Sequence, residues 1–260
     1  MNKDLKVAII QTDLVWENPE ENRRVLNDKI NAISTNVDLI VLPEMFTSGF
    51  TMNPVLVAET MDGDTITWLK EKAKEKEAVI MGSLVISENN NFYNRMVCVE
   101  PSGVITTYDK RHTFTLAGEH NVYTAGTEKV MFNYKGWKIC PLVCYDLRFP
   151  VWARNAEDYD LLIYVANWPK VRINAWDALL KARAIENMTY CIGVNRVGLD
   201  GNNHEYSGHS AAFDVLGNRM DNLSENEDAI AIVVLEKDTI TKYREKLNFL
   251  NDRDDFNLKV

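Results

Sequence analysis

The sequence predicts a single α/β domain, residues 1–260, in which helices cover two β-sheets. Strand-like apolar runs alternate with amphipathic segments of helical period along the chain. Two hairpin signatures, at residues 101–103 and 135–136, add antiparallel pairs to the βαβ units. No Pro-, Gly- or Ser-rich linker, internal repeat or low-complexity stretch divides the 260 residues. These observations favour one uninterrupted domain over two.

The first half of the chain begins with a predicted strand over residues 6–11. Asn18-Pro19 supplies a cap and a first-turn proline for a helix that reaches about Ser34. Val25, Ile30 and Ile33 form its apolar stripe. The later elements are a strand over 38–42, a helix over 65–76, a strand over 78–85 and paired strands over 95–100 and 104–108.

The second half starts with a hairpin that turns at Lys135-Gly136 and joins strands 130–134 and 137–143. Cys144 follows that hairpin directly. The remaining predicted elements are a helix over 151–156, a strand over 161–166, a helix over 176–187, strands over 190–197, 209–214 and 230–235, and a helix from 238 to about 246. A mostly acidic and polar tail closes the chain.

Composition excludes several classes of protein. The apolar content of 46% is typical of a globular enzyme and excludes a disordered chain. A net charge of -9 argues against a nucleic-acid partner, because such binding needs a basic surface. The sequence shows no secretory signal and no apolar run long enough to span a membrane. All four cysteines lie in apolar runs, as reduced thiols do, so the cytoplasm is the predicted compartment.

Three chemically different side chains occupy equivalent places at predicted strand ends. Glu44 follows the strand over 38–42, Lys110 follows the strand over 104–108, and Cys144 follows the strand over 137–143. Functional residues of α/β sheets gather beyond the carboxyl ends of strands. A carboxylate, an ammonium and a thiol suffice for amide hydrolysis, as base, oxyanion partner and nucleophile.

Each of these residues also has a simpler structural interpretation. A cysteine after an apolar run is usually a core thiol, and a charged residue after a strand is usually solvated. Cys144 stands at a turn between a strand and a helix, where we expect an exposed thiol near backbone N–H groups. Both features favour a reactive thiolate.

The surrounding motifs strengthen the functional interpretation. Leu42-Pro43-Glu44, Tyr108-Asp109-Lys110-Arg111-His112 and Val143-Cys144-Tyr145-Asp146-Leu147-Arg148-Phe149-Pro150 resemble, in order and spacing, the three signatures of the nitrilase (carbon–nitrogen hydrolase) superfamily. The resemblance covers nearly the whole chain. Smaller matches are Gly82-Ser83, Phe92-Tyr93-Asn94, Gly118-Glu119 and Arg183-Ala184-Ile185-Glu186-Asn187. The segment from Cys144 to Asn155 and Ala166-Asn167-Trp168-Pro169 most resemble bacterial omega-amidases.

The resemblance implies a four-layer α-β-β-α sandwich and a Glu-Lys-Cys triad that works without a metal or an organic cofactor. On these motifs Glu44 is the general base, Lys110 the oxyanion-side cation and Cys144 the nucleophile that forms a thioester. Glu119 resembles a second glutamate that many members place beside the triad. The resemblance also implies a homodimer, with the tail from about residue 247 to 260 along its interface.

The omega-amidase resemblance implies monoamides of 2-oxo dicarboxylic acids, such as 2-oxoglutaramate and 2-oxosuccinamate, cleaved to the acid and ammonia. The free carboxylate of such a substrate needs a cation, and Arg148 is a candidate. The alternative for Arg148 is a structural ion pair with a neighbouring carboxylate such as Asp146.

Four aromatic residues follow motif positions and are candidates for the walls of a small substrate pocket. They are Phe46, Phe114, Tyr145 and Trp168. The backbone N–H of Tyr145 is a candidate oxyanion donor. For Phe46 and Trp168, packing in the core is the alternative.

Competing functions are another carbon–nitrogen hydrolase, either an N-carbamoyl amino acid hydrolase or a nitrilase, and a non-catalytic binding protein on the same fold. Cys140 and Cys144 are four residues apart, but no histidine has a zinc-ligand spacing with them, so no metal is predicted. No Gly-rich phosphate loop is visible. The predicted partner is therefore a small-molecule amide.

Overall fold

A computed structural model describes residues 4–259 of the protein. The strands, in chain order, are β1 (Leu5–Gln11), β2 (Leu39–Val41), β3 (Val79–Glu88), β4 (Asn91–Val99), β5 (Ile105–Asp109), β6 (Phe132–Tyr134), β7 (Trp137–Val143), β8 (Leu161–Ala166), β9 (Tyr190–Asn195), β10 (Val197–Leu199), β11 (Glu205–Ser207), β12 (Ala211–Phe213) and β13 (Ala229–Leu235). The helices are α1 (Pro19–Ala32), α2 (Pro54–Val57), α3 (Asp64–Lys76), α4 (Pro150–Ala153), α5 (Ile173–Asn187) and α6 (Lys237–Leu247).

The strands form two main sheets and a small ribbon. The first sheet has the order β13-β1-β2-β3-β4-β5, and the second has the order β12-β9-β8-β7-β6. β2 runs parallel to β3, and two antiparallel steps through β4 give β5 the same direction. β7, β8 and β9 are parallel to one another. The carboxyl ends of β2 and β5 therefore share one edge of the first sheet, and those of β7, β8 and β9 share one edge of the second.

Alternating side chains of the first sheet fill two separate cores. On β1, Leu5, Val7 and Ile9 pack against the second sheet, whereas Ala8 and Ile10 pack under the helices. Successive side chains of a strand point to opposite faces, so each strand contributes to both layers. α1 and α3 cover the outer face of this sheet.

Helix α5 covers the outer face of the second sheet. Trp176, Leu180 and Ala184 lie in the same core as the residues of β8 and β9. Gly193 permits this close packing, because a Cβ atom there would lie 2.4 Å from Leu180 and 2.6 Å from Trp176. The layers therefore run helix, sheet, sheet, helix, and the predicted four-layer α-β-β-α sandwich is confirmed.

Several predicted elements need correction. The helix predicted over 151–156 is the single turn α4, because the Asn155 side chain fixes the following loop by donating to the carbonyls of Tyr159 and Asn187. The strand predicted over 209–214 shortens to β12, since His209 has a φ of 59°. In α1, Leu26 rather than Val25 is buried, together with Asn22 and Ile30.

β3 and β4 form a hairpin that was not predicted, and it extends both strands into residues 86–94. Its loop is Asn89-Asn90, and both residues have positive φ angles, of 50° and 62°. Asparagine tolerates this left-handed backbone, so the pair was a usable hairpin signal that the prediction missed. The extension matters because Asn94, in the added part of β4, reaches the candidate site. The β10–β11 ribbon and α2 were also not predicted.

The end of the described chain packs against residues of the preceding fold. Arg253 Nη1 lies 2.7 Å from Asp158 Oδ1 and donates to the Asn155 carbonyl at 3.1 Å. Leu258 and Lys259 line a surface cleft with Arg111 and Phe149. No helix within residues 4–259 combines the length and apolarity that a membrane crossing requires.

Candidate active site

The three predicted strand-end residues converge where the two sheets meet. Glu44 and Lys110 come from the same edge of the first sheet, and Cys144 comes from the facing edge of the second. Lys110 Nζ donates to Glu44 Oε1 at 2.9 Å, and the Cys144 thiol lies close enough to both residues for their charges to shift its pKa. The fold therefore brings a carboxylate, an ammonium and a thiol together from residues up to 100 positions apart.

Glu44 is completely buried and held in one orientation. Besides Lys110, its Oε1 accepts from Asn94 Nδ2 at 2.7 Å, and its Oε2 accepts from the backbone N–H of Asn167 at 2.8 Å. Ser83 fixes the following turn, since its hydroxyl accepts from the N–H of Met45. A carboxylate this constrained is preorganised for proton transfer.

Lys110 lies between two carboxylates. Its Nζ also donates to the two oxygens of Glu119 at 3.0 and 2.9 Å, and both residues are buried. Burial by itself lowers the pKa of Lys110. The charges of Glu119 and Glu44 raise this pKa by more than burial lowers it, so the net shift is upward and the side chain remains an ammonium. Burial raises the pKa of Glu119. Asn94 donates to Glu119 as well as to Glu44, and thereby links the two acids.

Cys144 stands at the first position of a turn that runs from Cys144 to Arg148, with a φ of 44°. Only 9% of the residue is exposed, so the prediction that the Cys144 thiol is exposed is wrong. Burial, followed by the negative charge of Glu44, raises the pKa of the thiol well above its usual range, while Lys110 lowers it. The free protein therefore holds a neutral thiol, and a base must remove its proton during the reaction.

Asp146 braces this turn against the loop that carries Lys110. Its carboxylate accepts from the backbone N–H of Val143 at 3.0 Å, from the hydroxyl of Tyr108 at 2.7 Å and from the backbone N–H of His112 at 2.9 Å. The suggested ion pair between Asp146 and Arg148 is not formed. Asp146 instead joins two of the three motifs.

A cavity of about 330 Å³ opens over Cys144. Phe114, Tyr145 and Trp168, three of the predicted wall residues, line it, and the Phe114 and Tyr145 rings lie 4.9 Å apart. The cavity is large enough for a small acyl substrate, and its walls are mainly aromatic and apolar.

Two arginines also line this cavity. The guanidinium carbon of Arg148 lies 4.8 Å from the centre of the Trp168 ring, and that of Arg172 lies 5.1 Å from the centre of the Phe114 ring. Neither guanidinium pairs with a carboxylate of residues 4–259. Two cations held on aromatic rings without an acidic partner suit an anionic ligand.

Phe46 is a correction to the predicted pocket. Its side chain is completely buried beneath the first sheet, where its ring centre lies 6.3 Å from that of Trp68. A Cβ atom at Gly82 would lie 2.8 Å from the Phe46 ring, so the two residues pack directly. Phe46 is therefore a core residue and not a wall of the pocket, because the turn after Glu44 points its side chain under the first sheet.

The prediction missed Asn94, Asn167 and Arg172 as residues of the site. Asn94 and Asn167 belong to the motifs Phe92-Tyr93-Asn94 and Ala166-Asn167-Trp168-Pro169, and their polar amides beside apolar strand residues were a usable signal. Arg172 follows Trp168-Pro169 by three residues, but its position depends on a turn that the sequence does not reveal. Among residues 4–259, no group of three or more His, Cys, Asp or Glu side chains is arranged to hold a metal ion.

Comparison with known proteins gives consistent matches. The family model of the carbon–nitrogen hydrolases matches residues 6–245. The chain is 44% identical to omega-amidase YafV of Yersinia enterocolitica, over 97% of this chain and 98% of that protein. It is 34% identical to 2-oxoglutaramate amidase of Bacillus subtilis, over 81% and 83% of the two chains.

A solved structure agrees closely in fold. XC1258 of Xanthomonas campestris, a CN-hydrolase superfamily protein with an arsenic adduct in its active site, superimposes with a TM-score of 0.95. Its sequence is 38% identical, and the match covers 98% of this chain and 99% of that one.

Proposed function

The chain belongs to the carbon–nitrogen hydrolase family and is a hydrolase that acts on amides, and we propose that it is an omega-amidase. The proposed reaction converts the monoamide of a 2-oxo dicarboxylic acid, such as 2-oxoglutaramate or 2-oxosuccinamate, to the acid and ammonia. One observation carries the proposal. The buried cluster of Glu44, Lys110 and Cys144 borders a cavity that also holds two arginines without acidic partners.

In the acylation half of the proposed mechanism, Glu44 takes the thiol proton as Cys144 Sγ attacks the amide carbon. Lys110 and the backbone N–H of Tyr145 stabilise the oxyanion of the tetrahedral intermediate. The C–N bond then breaks, the protonated Glu44 gives its proton to the departing nitrogen, and ammonia leaves. Cys144 remains as a thioester. The neutral thiol and the fixed carboxylate support Glu44 as the base.

Deacylation uses the same groups in the opposite order. Glu44 takes a proton from water, the resulting hydroxide attacks the thioester carbon, and the carboxylic acid is released as Cys144 regains its proton. We propose that Glu119 keeps Lys110 charged and in place, because it accepts from Nζ with both of its oxygens. Glu44 can then donate and accept protons while the oxyanion partner stays fixed.

Substrate selection is assigned to the outer part of the cavity. Arg148 and Arg172 bind the free carboxylate and the adjacent 2-oxo group, and Phe114, Tyr145 and Trp168 enclose the short carbon chain. The net charge of -9 gives no general attraction for anions, so a local pair of cations is what supports an anionic substrate.

The decisive experiment is a panel of ammonia-release assays on the purified full chain. We expect the highest kcat/KM for 2-oxoglutaramate, a much lower value for butyramide, which lacks the carboxylate, and little turnover of N-carbamoyl-β-alanine or butyronitrile. Preference for the carbamoyl compound or the nitrile would replace the omega-amidase proposal by the corresponding hydrolase. No turnover of any member, with binding of 2-oxoglutaramate retained, would favour a binding protein.

We also propose that residues 1–260 form one catalytic domain, that the chain is a homodimer and that it is located in the cytoplasm. The shared core of both sheets supports the single domain. Ala178 and Ile185 expose an apolar strip on α5, which supports self-association. Four buried, unpaired cysteines fit a reducing compartment. Sedimentation equilibrium tests the dimer, and a monomer at micromolar concentration would contradict it.

A further inference from the structure

Two buried side-chain acceptors at the active site have no partner within residues 4–259, Oδ1 of Asn94 and Oδ1 of Asn167. Asn167 is 4% exposed and lines the cavity together with Cys144, whereas Asn94 does not belong to the cavity wall. The rest of Asn167 is fixed, since its Nδ2 donates to the Glu44 carbonyl at 2.6 Å and its backbone N–H donates to Glu44 Oε2 at 2.8 Å. A 180° rotation of the side-chain amide would exchange Oδ1 and Nδ2 and would break the hydrogen bond to the Glu44 carbonyl. Oδ1 therefore stays in its position as an acceptor.

A second buried asparagine, Asn195, provides a comparison in the same sheet, because all the polar atoms of its side-chain amide have hydrogen-bond partners. Asn195 ends β9, as Asn167 follows β8. Its Nδ2 donates to the carbonyls of Trp168 and Gly208 at 2.9 and 2.7 Å, and its Oδ1 accepts from the N–H groups of Trp168 and Arg196. Buried polar atoms are nearly always paired, so the open acceptor of Asn167 indicates a ligand donor.

The carboxylate oxygens near Cys144 are already in use, and the open Oδ1 of Asn94 belongs to a residue outside the cavity wall. Glu44 Oε1 accepts from Lys110 and Asn94, and Glu44 Oε2 accepts from the backbone of Asn167. Both oxygens of Glu119 accept from Lys110. A primary amide brings two N–H donors into this site, and these donors lose their water when they enter. Burial of an unpaired donor is costly, so at least one open acceptor is needed.

We propose that Asn167 Oδ1 accepts a hydrogen bond from the N–H of the substrate amide and thereby selects amides over esters. The inference rests on the proposed amide hydrolysis and adds a specificity-determining residue to it. As Cys144 Sγ bonds to the carbonyl carbon, the amide nitrogen becomes pyramidal and its lone pair becomes basic. An N–H held by Asn167 leaves that lone pair facing the protonated Glu44, which delivers the proton as the C–N bond breaks.

The test compares 2-oxoglutaramate with the methyl ester of the same carboxyl group. Both substrates form the same thioester, so differences in kcat/KM report the steps up to loss of ammonia or methanol. The ester has no N–H, but it still needs Glu44, Lys110 and Cys144. For Asn167→Ala we expect the amide-to-ester ratio of kcat/KM to fall by about 10- to 100-fold.

Asn195→Ala is the matched control, because it removes a buried asparagine from the next strand and loosens the loop at Trp168. It should lower both activities alike and leave the ratio unchanged. Equal losses on amide and ester in Asn167→Ala would overturn the inference and leave Asn167 with a positioning role toward Glu44. If Asn167→Ala does not fold, Asn167→Ser is measured in the same way.

A wrong substrate assignment can be told apart from a wrong role for Asn167. If the wild-type protein cleaves another amide but not 2-oxoglutaramate, the omega-amidase proposal fails. The ratio for Asn167→Ala is then measured on that amide and its methyl ester, and an unchanged ratio still overturns the role of Asn167.

Discussion

Two groups of charged residues lie near Cys144, one buried behind it and one on the wall of the cavity over it, and they are held in opposite ways. The inner cluster, Glu44, Lys110 and Glu119, is completely or almost completely buried, and each charge has opposite-charge partners within 3.0 Å. The outer pair, Arg148 and Arg172, is half-buried and rests on aromatic rings without carboxylate partners in residues 4–259. Paired charges suit fixed chemistry, and unpaired cations suit a ligand that brings its own charge.

The difference follows from the cost of burial. A buried charge is tolerated only when partners and hydrogen bonds compensate for lost water, which forces the inner cluster into one geometry. A guanidinium at the cavity wall keeps part of its hydration and can stay unpaired until a carboxylate arrives. The inner cluster should therefore control turnover, and the outer pair should control substrate affinity.

Loss of the proposed nucleophile should give the largest effect. Cys144→Ala is expected to lower ammonia release by about 10⁴-fold or more, because no thioester can form. Cys140→Ala is the matched control, since Cys140 is also buried and lies four residues earlier on β7. It should keep near-normal turnover with a modest loss of stability, and normal turnover by Cys144→Ala would contradict the triad.

Glu44→Gln should reduce turnover by about 10²- to 10³-fold while making the thiol more acidic. Removal of the negative charge beside Cys144 stabilises the thiolate, and Lys110 remains, so the pKa of Cys144 should fall. The ultraviolet absorbance of the thiolate against pH measures this, with Cys144→Ala as the blank. A rise in that pKa would show that Glu44 does not face the thiol.

Substitution of the outer pair should change affinity rather than turnover. Arg148→Met and Arg172→Met are each expected to raise KM for 2-oxoglutaramate by about 10-fold, because each removes a charge-assisted hydrogen bond. Turnover of butyramide should be unaffected. Lys170→Met is the control, since Lys170 is exposed on the same loop and pairs with Glu205. Equal losses on butyramide would assign these arginines a structural role.

The smallest effect is expected at Phe46, which the fold places in the core rather than in the cavity. Phe46→Leu should lower the free energy of unfolding by about 1–2 kcal/mol and leave KM for 2-oxoglutaramate unchanged. Urea unfolding and steady-state kinetics measure the two quantities. A changed KM with unchanged stability would return Phe46 to the pocket wall.

The sequence predicted the inner cluster better than the outer pair for a local reason. Glu44 and Lys110 of the inner cluster, like Cys144 beside it, each follow a predicted strand, and the apolar run that predicts a strand also predicts where it ends. Arg172 lies on a short turn between β8 and α5, where no periodicity indicates the direction of a side chain. Phe46 was placed in the pocket because its motif position was informative and its orientation was not.

By itself, the sequence determined the layered α/β fold, the three strand-end residues and the superfamily, because hydrophobic periodicity and short motifs are local properties of the chain. Only the tertiary structure decided that the Cys144 thiol is buried and neutral, that Asp146 binds Tyr108 and His112 rather than Arg148, and that the acceptor of Asn167 stays open. Burial and hydrogen-bond partners depend on segments far apart in sequence, and they exist only when both sheets are packed together.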